Sequence, residues 1–545
     1  MVKKAASEYN APLVFLPVHK SHIDYLLITF ILFCHNIKAP HIAAGNNLSI
    51  PILSTLIRKL GGFFIRRKLD ETSDGKKDVL YRSLLHAYTE ELLRQQQSLE
   101  VYLEGTRSRS GKPSPARAGM LSIVVDTLCG GTIPDVLIVP VGISYDRIIE
   151  GNYNSEQLGK PKKNESLWGI ACGVFRMLRK NYGCVRVDFT QPFSLKEYLD
   201  TQRSRHLQAS LTLEQILLPT IIATQYGATF IRPDQAVFNG EDEDLNSRGL
   251  SDEPWRRQVI ADLAKHVLFT ASKSSAIMST HIVACLLLYR HRRGVLLSKL
   301  VEDFFNMKEE ILSRDFDLGF SGNSEDVVMH ALSLLGNCVN VTSTNKNTEF
   351  IIAPSNTVPA LFELNFYSNG LFHVFITDAI IACSALALLR EQAAALLTEQ
   401  SSSSKLLSQE RLIRRAAGLS HFLSNEVAVA LVSPSAEHQE FYTFLQRILT
   451  PVLEAYSGAA IFIHSLSSPM SEREYTHQLF KYLLIRTERG VAAYGESATH
   501  YLVKNTVATF KELGTGVCRL ELSSTFTPQA NRNKLLHYIL GFSLL

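Results

Sequence analysis

The sequence lacks the cysteine spacing of a zinc-binding or disulfide-linked domain. Its 545 residues include eight cysteines, but none stands in a Cys-x-x-Cys pair or a zinc-finger arrangement. Most lie in apolar segments, so we expect buried free thiols and a reducing compartment. A strong charge of one sign is also missing, because the formal net charge is +4. So small an excess does not by itself indicate a nucleic-acid-binding protein.

A clean apolar run of membrane-spanning length is also missing. The best window, 371–389, contains His373 and Asp378, and the second, 276–289, includes His281. A spanning helix needs about 20 predominantly apolar residues, so both windows predict buried or surface-lying helices. The N-terminus has no apolar segment of the kind found in a secretory signal. We therefore expect membrane contact to be peripheral or monotopic.

Strand-like and helical segments alternate over the first two hundred residues. Apolar runs predict strands at 13–18, 41–44, 62–65, 99–103, 136–141 and 185–189. Helical periodicity predicts helices at 23–34, 50–60, 78–96, 116–129 and 166–180. This alternation predicts an α/β fold class, a layered domain in which helices flank a mostly parallel sheet.

The length, with 46% hydrophobic and 20% charged residues, predicts an ordered protein of two to four domains. We expect the α/β domain over 1–236, an acidic linker over 237–254 and a mainly helical α+β region beyond it. That region divides into a helical part, 255–400, a flexible connector, 401–439, and a C-terminal α/β segment, 440–545, that packs on the rest. The connector contains four consecutive serines.

The helical part contains a unit that resembles a winged helix, a module that often binds DNA. Two helices near 297–306 and 326–335 precede a hairpin across 338–344 and 349–354. The first helix is acidic, with Glu302, Asp303, Glu309 and Glu310. We therefore expect this unit to pack against the first domain, and we expect no nucleic-acid partner.

Polar residues gather after the strands of the first domain. His19 follows the first strand, and Asp24 lies in the first turn of the next helix. A carboxylate in that position can orient a histidine that acts as a general base. Two further polar runs follow later strands: Arg66-Arg67-Lys68 and Glu104-Gly105-Thr106-Arg107. Ligands bind beyond the carboxyl ends of parallel strands, and arginine at such a place suits a phosphate group.

Three competing motifs fail on spacing. Five residues separate Gly105 from Gly111, where a P-loop has four, and Pro113 stands where a P-loop has Ser or Thr. The pair His19 and His22 has no third ligand nearby, so no metal is expected. A Gly-x-Ser-x-Gly elbow is absent from the sequence, which argues against a serine hydrolase.

In order and spacing, four blocks resemble those of the glycerolipid acyltransferase superfamily. They are His19-x4-Asp24, Gly62-Phe-Phe-Ile-Arg66-Arg67, Glu104-Gly105-Thr106-Arg107 and Val139-Pro140-Val141. Within the superfamily the sequence is most similar to the animal mitochondrial glycerol-3-phosphate 1-O-acyltransferase branch, over nearly the whole chain. Lysophosphatidate acyltransferases have Asn and Pro where this sequence has Val18 and Leu103. That difference favours glycerol 3-phosphate over a lysolipid as acceptor, and dihydroxyacetone phosphate stays open.

The resemblance implies an O-acyltransferase that moves an acyl group from acyl-CoA to the sn-1 hydroxyl of glycerol 3-phosphate. The product is lysophosphatidate, made in the first step of glycerolipid synthesis. His19 would be the base and Asp24 its orienting carboxylate, while the acceptor would be bound by Arg66, Arg67, Glu104, Gly105, Thr106 and Arg107. The phosphates of CoA need cations, for which the candidates near these blocks are Lys68, Lys77, Arg82 and Arg117. Acyl-CoA is a substrate, so no cofactor is expected.

The resemblance also implies a location, the cytosolic face of the mitochondrial outer membrane. Relatives carry a long region before the first block, with targeting and membrane-binding segments, whereas 18 residues precede His19 here. The run Arg290-His291-Arg292-Arg293 follows an apolar helix. We expect it to meet anionic headgroups, with capping of the helix end as the alternative. A non-catalytic membrane scaffold is the alternative to an enzyme, and the intact pair of His19 and Asp24 stands against it.

Overall fold

The structure is a computed structural model of the chain. It describes residues 1–8, 11–45, 55, 58–59, 61–65, 79–149, 180–205, 217, 221, 254–343, 349–398, 409–424, 439–466, 469–513, 522–523 and 525–543. The acidic linker and nearly all of the predicted helices over 50–60 and 166–180 lie outside these residues.

The first domain is built on a seven-stranded sheet. Its elements are α1 (Val2–Glu8), β1 (Leu13–Pro17), α2 (Asp24–Cys34), β2 (His41–Gly45), β3 (Phe63–Ile65), α3 (Val79–Arg94), β4 (Leu99–Glu100), α4 (Gly119–Cys129), β5 (Leu137–Tyr145), β6 (Val185–Phe189), β7 (Phe193–Ser194) and α5 (Leu195–Arg205). The strand order is β3-β2-β4-β1-β5-β6, with β7 also on β5. Strands β1 to β5 pair in parallel, while β6 and β7 are antiparallel to β5. The predicted α/β class with a mostly parallel sheet is confirmed.

The sheet is covered on both faces, which explains why its strands are continuous apolar runs. Side chains alternate between the two faces of a strand. Thus Leu13 and Phe15 of β1 join one apolar core, while Val14 and Leu16 join the other. Helix α2 contributes to the first core, and helices α3 and α4 contribute to the second. The parallel strands therefore present their carboxyl ends at one edge, between the two helical layers.

Helix α6 (Pro254–Ser274) belongs structurally to this sheet. Its residues Ile260, Leu263 and Val267 are buried in the second core, and Arg256 makes an ion pair of 2.7 Å with Asp126 of α4. The predicted boundary at 254–255 therefore does not separate two structural units. The helix packs on the sheet because its apolar stripe completes the core there.

A winged-helix-like unit follows. It consists of α7 (Ser279–Tyr289), β8 (Val295–Leu296), α8 (Leu297–Ser313), α9 (Ser324–Leu335), β9 (Val339–Ser343) and β10 (Phe350–Pro354). The three strands form an antiparallel sheet in the order β8-β10-β9. Every residue of α7 is buried, and the Thr280 hydroxyl donates to the Asp146 carbonyl at 2.8 Å. The unit thus packs against the first domain, as the sequence predicted.

The rest of the described chain is helical. Its helices are α10 (Val358–Ser368), α11 (Phe372–Thr398), α12 (Gln409–Phe422), α13 (Gln439–Phe462), α14 (Glu472–Glu488), α15 (His500–Glu512) and α16 (Gln529–Gly541). Helix α12 corrects the prediction of a flexible connector over 401–439. Its Ala416, Leu419 and Phe422 are buried in the large core, and this helical spacing outweighs the polar composition of the flanking residues.

One helical stretch, Val358–Gln392, is long and apolar enough to cross a membrane, among the residues that the structure describes. Of its most apolar window, 72% is buried inside the protein. Core helices of soluble proteins pass the same test of length and composition, so this stretch is weak evidence for a span. Its Phe375, Ala379 and Ile380 lie in the large core, in keeping with the predicted buried helix.

Candidate active site

The strand-to-helix junction after β1 brings His19 and Asp24 together. His19 Nδ1 lies 2.9 Å from Asp24 Oδ2. The same carboxylate oxygen accepts the backbone N–H groups of Lys20 at 2.8 Å and Ser21 at 2.9 Å. Asp24 is fully buried, while the His19 side chain keeps 17% of its surface exposed. The carboxylate is therefore held in place by the main chain, and the imidazole is in part accessible to solvent.

A second donor holds the other oxygen of Asp24. The Tyr145 hydroxyl, at the carboxyl end of β5, donates to Asp24 Oδ1 at 2.5 Å. Tyr145 is 4% exposed. Tyr145 is not among the site residues that the sequence predicted. The signal that could have found it is its position at the last residue of a parallel strand, beside the strand that carries His19.

Glu104 ties the third block to His19. Its Oε1 accepts the backbone N–H of His19 at 2.8 Å, and its Oε2 accepts that of Ser114 at 2.6 Å. Burial raises the pKa of Glu104 to about 7, and the hydrogen bonds from Ser114 and His19 oppose that shift. Both oxygens are thus used by the main chain, so Glu104 shapes the site by joining two loops.

An aromatic ring that sequence reasoning missed lies against the imidazole. The ring centroids of His19 and Tyr102 are 4.3 Å apart. The Tyr102 hydroxyl donates to Glu100 Oε1 at 2.6 Å, and burial raises the pKa of Glu100 to about 8. Packing against Tyr102 therefore limits the rotation of the imidazole. The position of Tyr102 is itself fixed by a buried carboxyl group.

Lys20, the residue after His19, lies near several charged and titratable groups. Burial lowers the pKa of Lys20, while the charges of Asp24 and Glu104 raise it. Burial lowers the pKa of His281 and His373, and the charge of Lys20 lowers it further, in His373 to about 3. Both histidines are therefore neutral at physiological pH, and the cation of Lys20 faces the two carboxylates.

The loop after β4 carries the remaining candidates of the third block. Gly105 has φ +65°, and a Cβ atom built there would lie 3.0 Å from Cδ of Arg117. Thr106 and Arg107 are partly exposed, whereas Gly105 and Arg117 are exposed at the surface of the cleft. The structure thus brings Arg117 onto the third block. Arg82 is exposed in the first turn of α3, and four candidates lie outside the described residues: Arg66, Arg67, Lys68 and Lys77.

At the far end of this loop Ser108, Ser110, Gly111 and Lys112 are buried, whereas Arg109 is exposed. This end packs against α10 and the residues after it. The Asn369 amide donates to the Ser110 carbonyl at 2.8 Å, and the Lys112 ammonium lies 4.3 Å from the ring centroid of Phe372. Gly111 has φ +82°, and a Cβ there would come within 2.0 Å of the Phe366 carbonyl oxygen. The helical region therefore supports the loop that carries the third block.

Basic residues after β5 and after α7 have partners within the protein. Arg147, after β5, donates to the Leu334 carbonyl at 2.6 Å. In the run after α7, His291 lies 2.6 Å from Asp303, and Arg292 makes two bonds of 2.9 Å with Glu496. Both side chains pair with buried carboxylates, and contact of this run with lipid headgroups stays a prediction. The alternative, a helix end held by local partners, agrees with the structure.

Comparison with known proteins matches two family models to the chain. A family model described as the glycerol-3-phosphate acyltransferase C-terminal region matches residues 153–516, and one described as acyltransferase matches residues 2–144. The mitochondrial glycerol-3-phosphate acyltransferase 1 of Sus scrofa is 59% identical over 623 residues, which cover 99% of this chain and 74% of that protein. The Homo sapiens protein of the same name has the same identity and coverage.

Two more distant proteins were also matched. The probable mitochondrial glycerol-3-phosphate acyltransferase of Caenorhabditis elegans is 32% identical over 391 residues, covering 70% of this chain and 51% of that protein. A solved structure, the 1-acyl-sn-glycerophosphate acyltransferase of Thermotoga maritima, aligns with 38% of this chain and 71% of that chain at 19% identity. Its TM-score is 0.21, too low to equate the two folds.

Proposed function

Because the chain belongs to the glycerol-3-phosphate acyltransferase family, we propose that it transfers an acyl group from acyl-CoA to the sn-1 hydroxyl of glycerol 3-phosphate. The product is 1-acyl-glycerol 3-phosphate, the lysophosphatidate with which glycerolipid synthesis begins. The observation that carries the proposal is the 2.9 Å contact between His19 Nδ1 and a buried Asp24 carboxylate. It lies within the residues matched by the acyltransferase family model.

The contact between His19 and Asp24 determines which imidazole nitrogen can accept the proton. Since Asp24 accepts from Nδ1, that nitrogen carries the proton and Nε2 keeps a lone pair. Nε2 takes the proton of the acceptor hydroxyl as its oxygen attacks the thioester carbonyl. The tetrahedral intermediate then collapses, the C–S bond breaks, and the imidazolium returns the proton to the departing thiolate. CoA leaves as the free thiol, and no acyl-enzyme forms.

The carboxylate contributes in two ways. It orients the ring through Nδ1, and its charge stabilises the imidazolium that exists between the two proton transfers. The donors on both of its oxygens, Tyr145 on one and two backbone N–H groups on the other, hold it in place. Positioned proton transfer of this kind typically accelerates a reaction by about 10²- to 10⁴-fold.

The acceptor phosphate needs fixed cations. We assign this role to Arg66, Arg67 and Arg107, because the second and third blocks follow strands β3 and β4 on the edge where His19 lies. Gly105 and Thr106 line the same loop beside Arg107, and Glu104 holds it to His19. Arg117 lies on Gly105, and with Lys68, Lys77 and Arg82 it is a candidate for the phosphates of CoA.

The test is thiol release from palmitoyl-CoA by the purified protein. Glycerol 3-phosphate, dihydroxyacetone phosphate or no acceptor is supplied, and His19→Ala and Asp24→Asn are run in parallel. We expect release that needs glycerol 3-phosphate and falls at least 10²-fold in both variants. Faster turnover with dihydroxyacetone phosphate would make that compound the acceptor. A folded wild type that releases no thiol would contradict an enzyme and favour a membrane scaffold.

We further propose that the protein works at a membrane surface, on the cytosolic face of the mitochondrial outer membrane. Relatives at 59% identity are named mitochondrial. The first helix after His19, α2, exposes Phe30 and Phe33 to 63% and 74%, an apolar surface beside the site that must receive an acyl chain. Alkaline carbonate extraction of mitochondria checks the peripheral mode. Release of the protein is expected, and retention in the pellet would contradict it.

A further inference from the structure

Helix α15, in the last part of the chain, directs two basic side chains to the loop of the third block. His500 and Lys504 are four residues apart and share a face of the helix. The next residue, Tyr501, places its ring 5.2 Å from the ammonium of Lys112, at the buried end of that loop. The helix is therefore packed on the loop that carries Arg107, Arg109 and Arg117.

The contact of Tyr501 with Lys112 holds the helix against the loop, and Arg117 lies on Gly105 of the same loop. Burial lowers the pKa of Lys504, and the charges of Arg109 and Arg117 lower it further. Burial likewise lowers the pKa of His500 to about 4, with added repulsion from Lys504, Arg109 and His477. In the described part of the chain no carboxylate bonds Lys504, His500 or Arg117. A cluster of like positive charges favours the binding of an anion that can lie among them.

We propose that Lys504 and His500 of α15, together with Arg109 and Arg117, form a binding site for a phosphate monoester of the substrates. The site rests on the proposed function only for the identity of its ligand. Two phosphate monoesters reach this cleft in the proposed reaction: the phosphate of the acceptor and the 3′-phosphate of CoA. The last part of the chain thereby contributes side chains to the substrate site of the first domain.

A role in binding explains the arrangement better than support of the fold. Lys504 and Arg117 are exposed, so neither side chain fills a core, and the mutual repulsion of the cluster lowers the stability of the unliganded protein. A phosphate dianion removes that repulsion and accepts several charge-assisted hydrogen bonds at once. Exposed cations are also what an incoming ligand reaches first.

Isothermal titration calorimetry of the full-length chain tests the proposal without turnover. The ligands are CoA, dephospho-CoA, which lacks the 3′-phosphate, and glycerol 3-phosphate. Lys504→Ala is compared with Lys511→Ala, a control on the same helix whose ammonium pairs with Glu472 at 2.7 Å. We expect Lys504→Ala to weaken one phosphate ligand about tenfold, Lys504→Arg to retain its affinity, and Lys511→Ala to have little effect.

The ligands separate the two sources of phosphate. If the cluster holds CoA, Lys504→Ala weakens CoA but leaves dephospho-CoA unchanged. If it holds the acceptor, only glycerol 3-phosphate is weakened. Equal affinities for all three ligands in Lys504→Ala and Lys511→Ala would overturn the proposal. A wild type that binds in this way without releasing thiol would refute the proposed catalysis and leave the phosphate site standing.

Discussion

The Tyr145 hydroxyl lies 2.5 Å from Asp24 Oδ1, although 121 residues separate the two in sequence. Strands β1 and β5 are adjacent and parallel, so their carboxyl ends bring the residue that closes β5 beside the helix that follows β1. The bond gives Asp24 a donor on the oxygen that faces away from the backbone of Lys20 and Ser21. The last residue of the strand that contains the fourth block thus holds the Asp24 carboxylate of the first block.

We predict that Tyr145→Phe lowers kcat about tenfold and leaves both KM values nearly unchanged. The substitution removes a hydrogen bond to a charged group, worth about 1.5–3 kcal/mol, and lets the carboxylate shift relative to the imidazole. Steady-state kinetics with acyl-CoA and glycerol 3-phosphate measure the effect. Tyr289→Phe is the control, because its buried hydroxyl contacts Asn365 at 3.3 Å, away from the pair. An equal loss of kcat in the control would contradict a specific role for Tyr145.

The sequence predicted the sheet and the contact between His19 and Asp24 because both depend on local patterns. Apolar runs bounded by turns define the strands, and the spacing between His19 and Asp24 is bridged by a single turn at the start of α2. The contacts of Tyr102 and Tyr145 were not predicted because each joins residues from different strands, and no spacing in sequence indicates such a contact. Helix α12 was not predicted for a different reason. The serine run before it favoured a flexible connector, and its apolar stripe was given less weight.

Glu104→Gln tests whether this residue joins the two loops or contacts the acceptor. A glutamine offers one acceptor oxygen, and its NH₂ group would face the second N–H, leaving a buried donor unsatisfied at a cost of about 1–3 kcal/mol. We expect a lower melting temperature together with a several-fold fall in kcat. Thermal unfolding and kinetics are measured beside Glu197→Gln, an exposed control on α5. A rise in the acceptor KM alone, with unchanged stability, would instead indicate direct contact with substrate.

Glu100→Gln should change how stability depends on pH. The pKa of Glu100 is raised from 4.5 to about 8 by burial, so between these values the folded state keeps a proton that the unfolded state has lost. The free energy of unfolding therefore falls as pH rises through this window, by about 1.4 kcal/mol for each unit of pKa difference. Glutamine is neutral and still accepts from Tyr102.

The measurement is thermal unfolding of wild type and Glu100→Gln at pH 5 and pH 9. The wild type should lose stability relative to the variant at the higher pH, and the difference should be smallest at the lower one. Glu197→Gln supplies the baseline for an exposed carboxylate. A difference between wild type and Glu100→Gln that is the same at both pH values would show that burial of Glu100 is not linked to its ionisation.

The support of the third block by the helical region could not be predicted from sequence. Nothing in the composition of 104–117 indicates that its buried end contacts α10 and the residues after it. The contact requires a glycine at 111, because its φ is +82° and the Phe366 carbonyl leaves no room for a Cβ atom. In the sequence, Gly111 stood out only as a glycine of a possible P-loop, and its spacing from Gly105 did not fit that motif.

Gly111→Ala and Gly131→Ala together separate steric contact from backbone strain. Both glycines have positive φ, +82° and +72°, but a Cβ at 131 would meet nothing within 4 Å. The Gly131 variant should therefore lose about 1 kcal/mol, the cost of left-handed backbone for alanine. Gly111→Ala must also displace the loop from Phe366, so we expect a larger loss of stability and a lower kcat, since the loop carries Glu104. Thermal unfolding and thiol release measure both, and equal losses in the two variants would mean that the contact with α10 does not support the site.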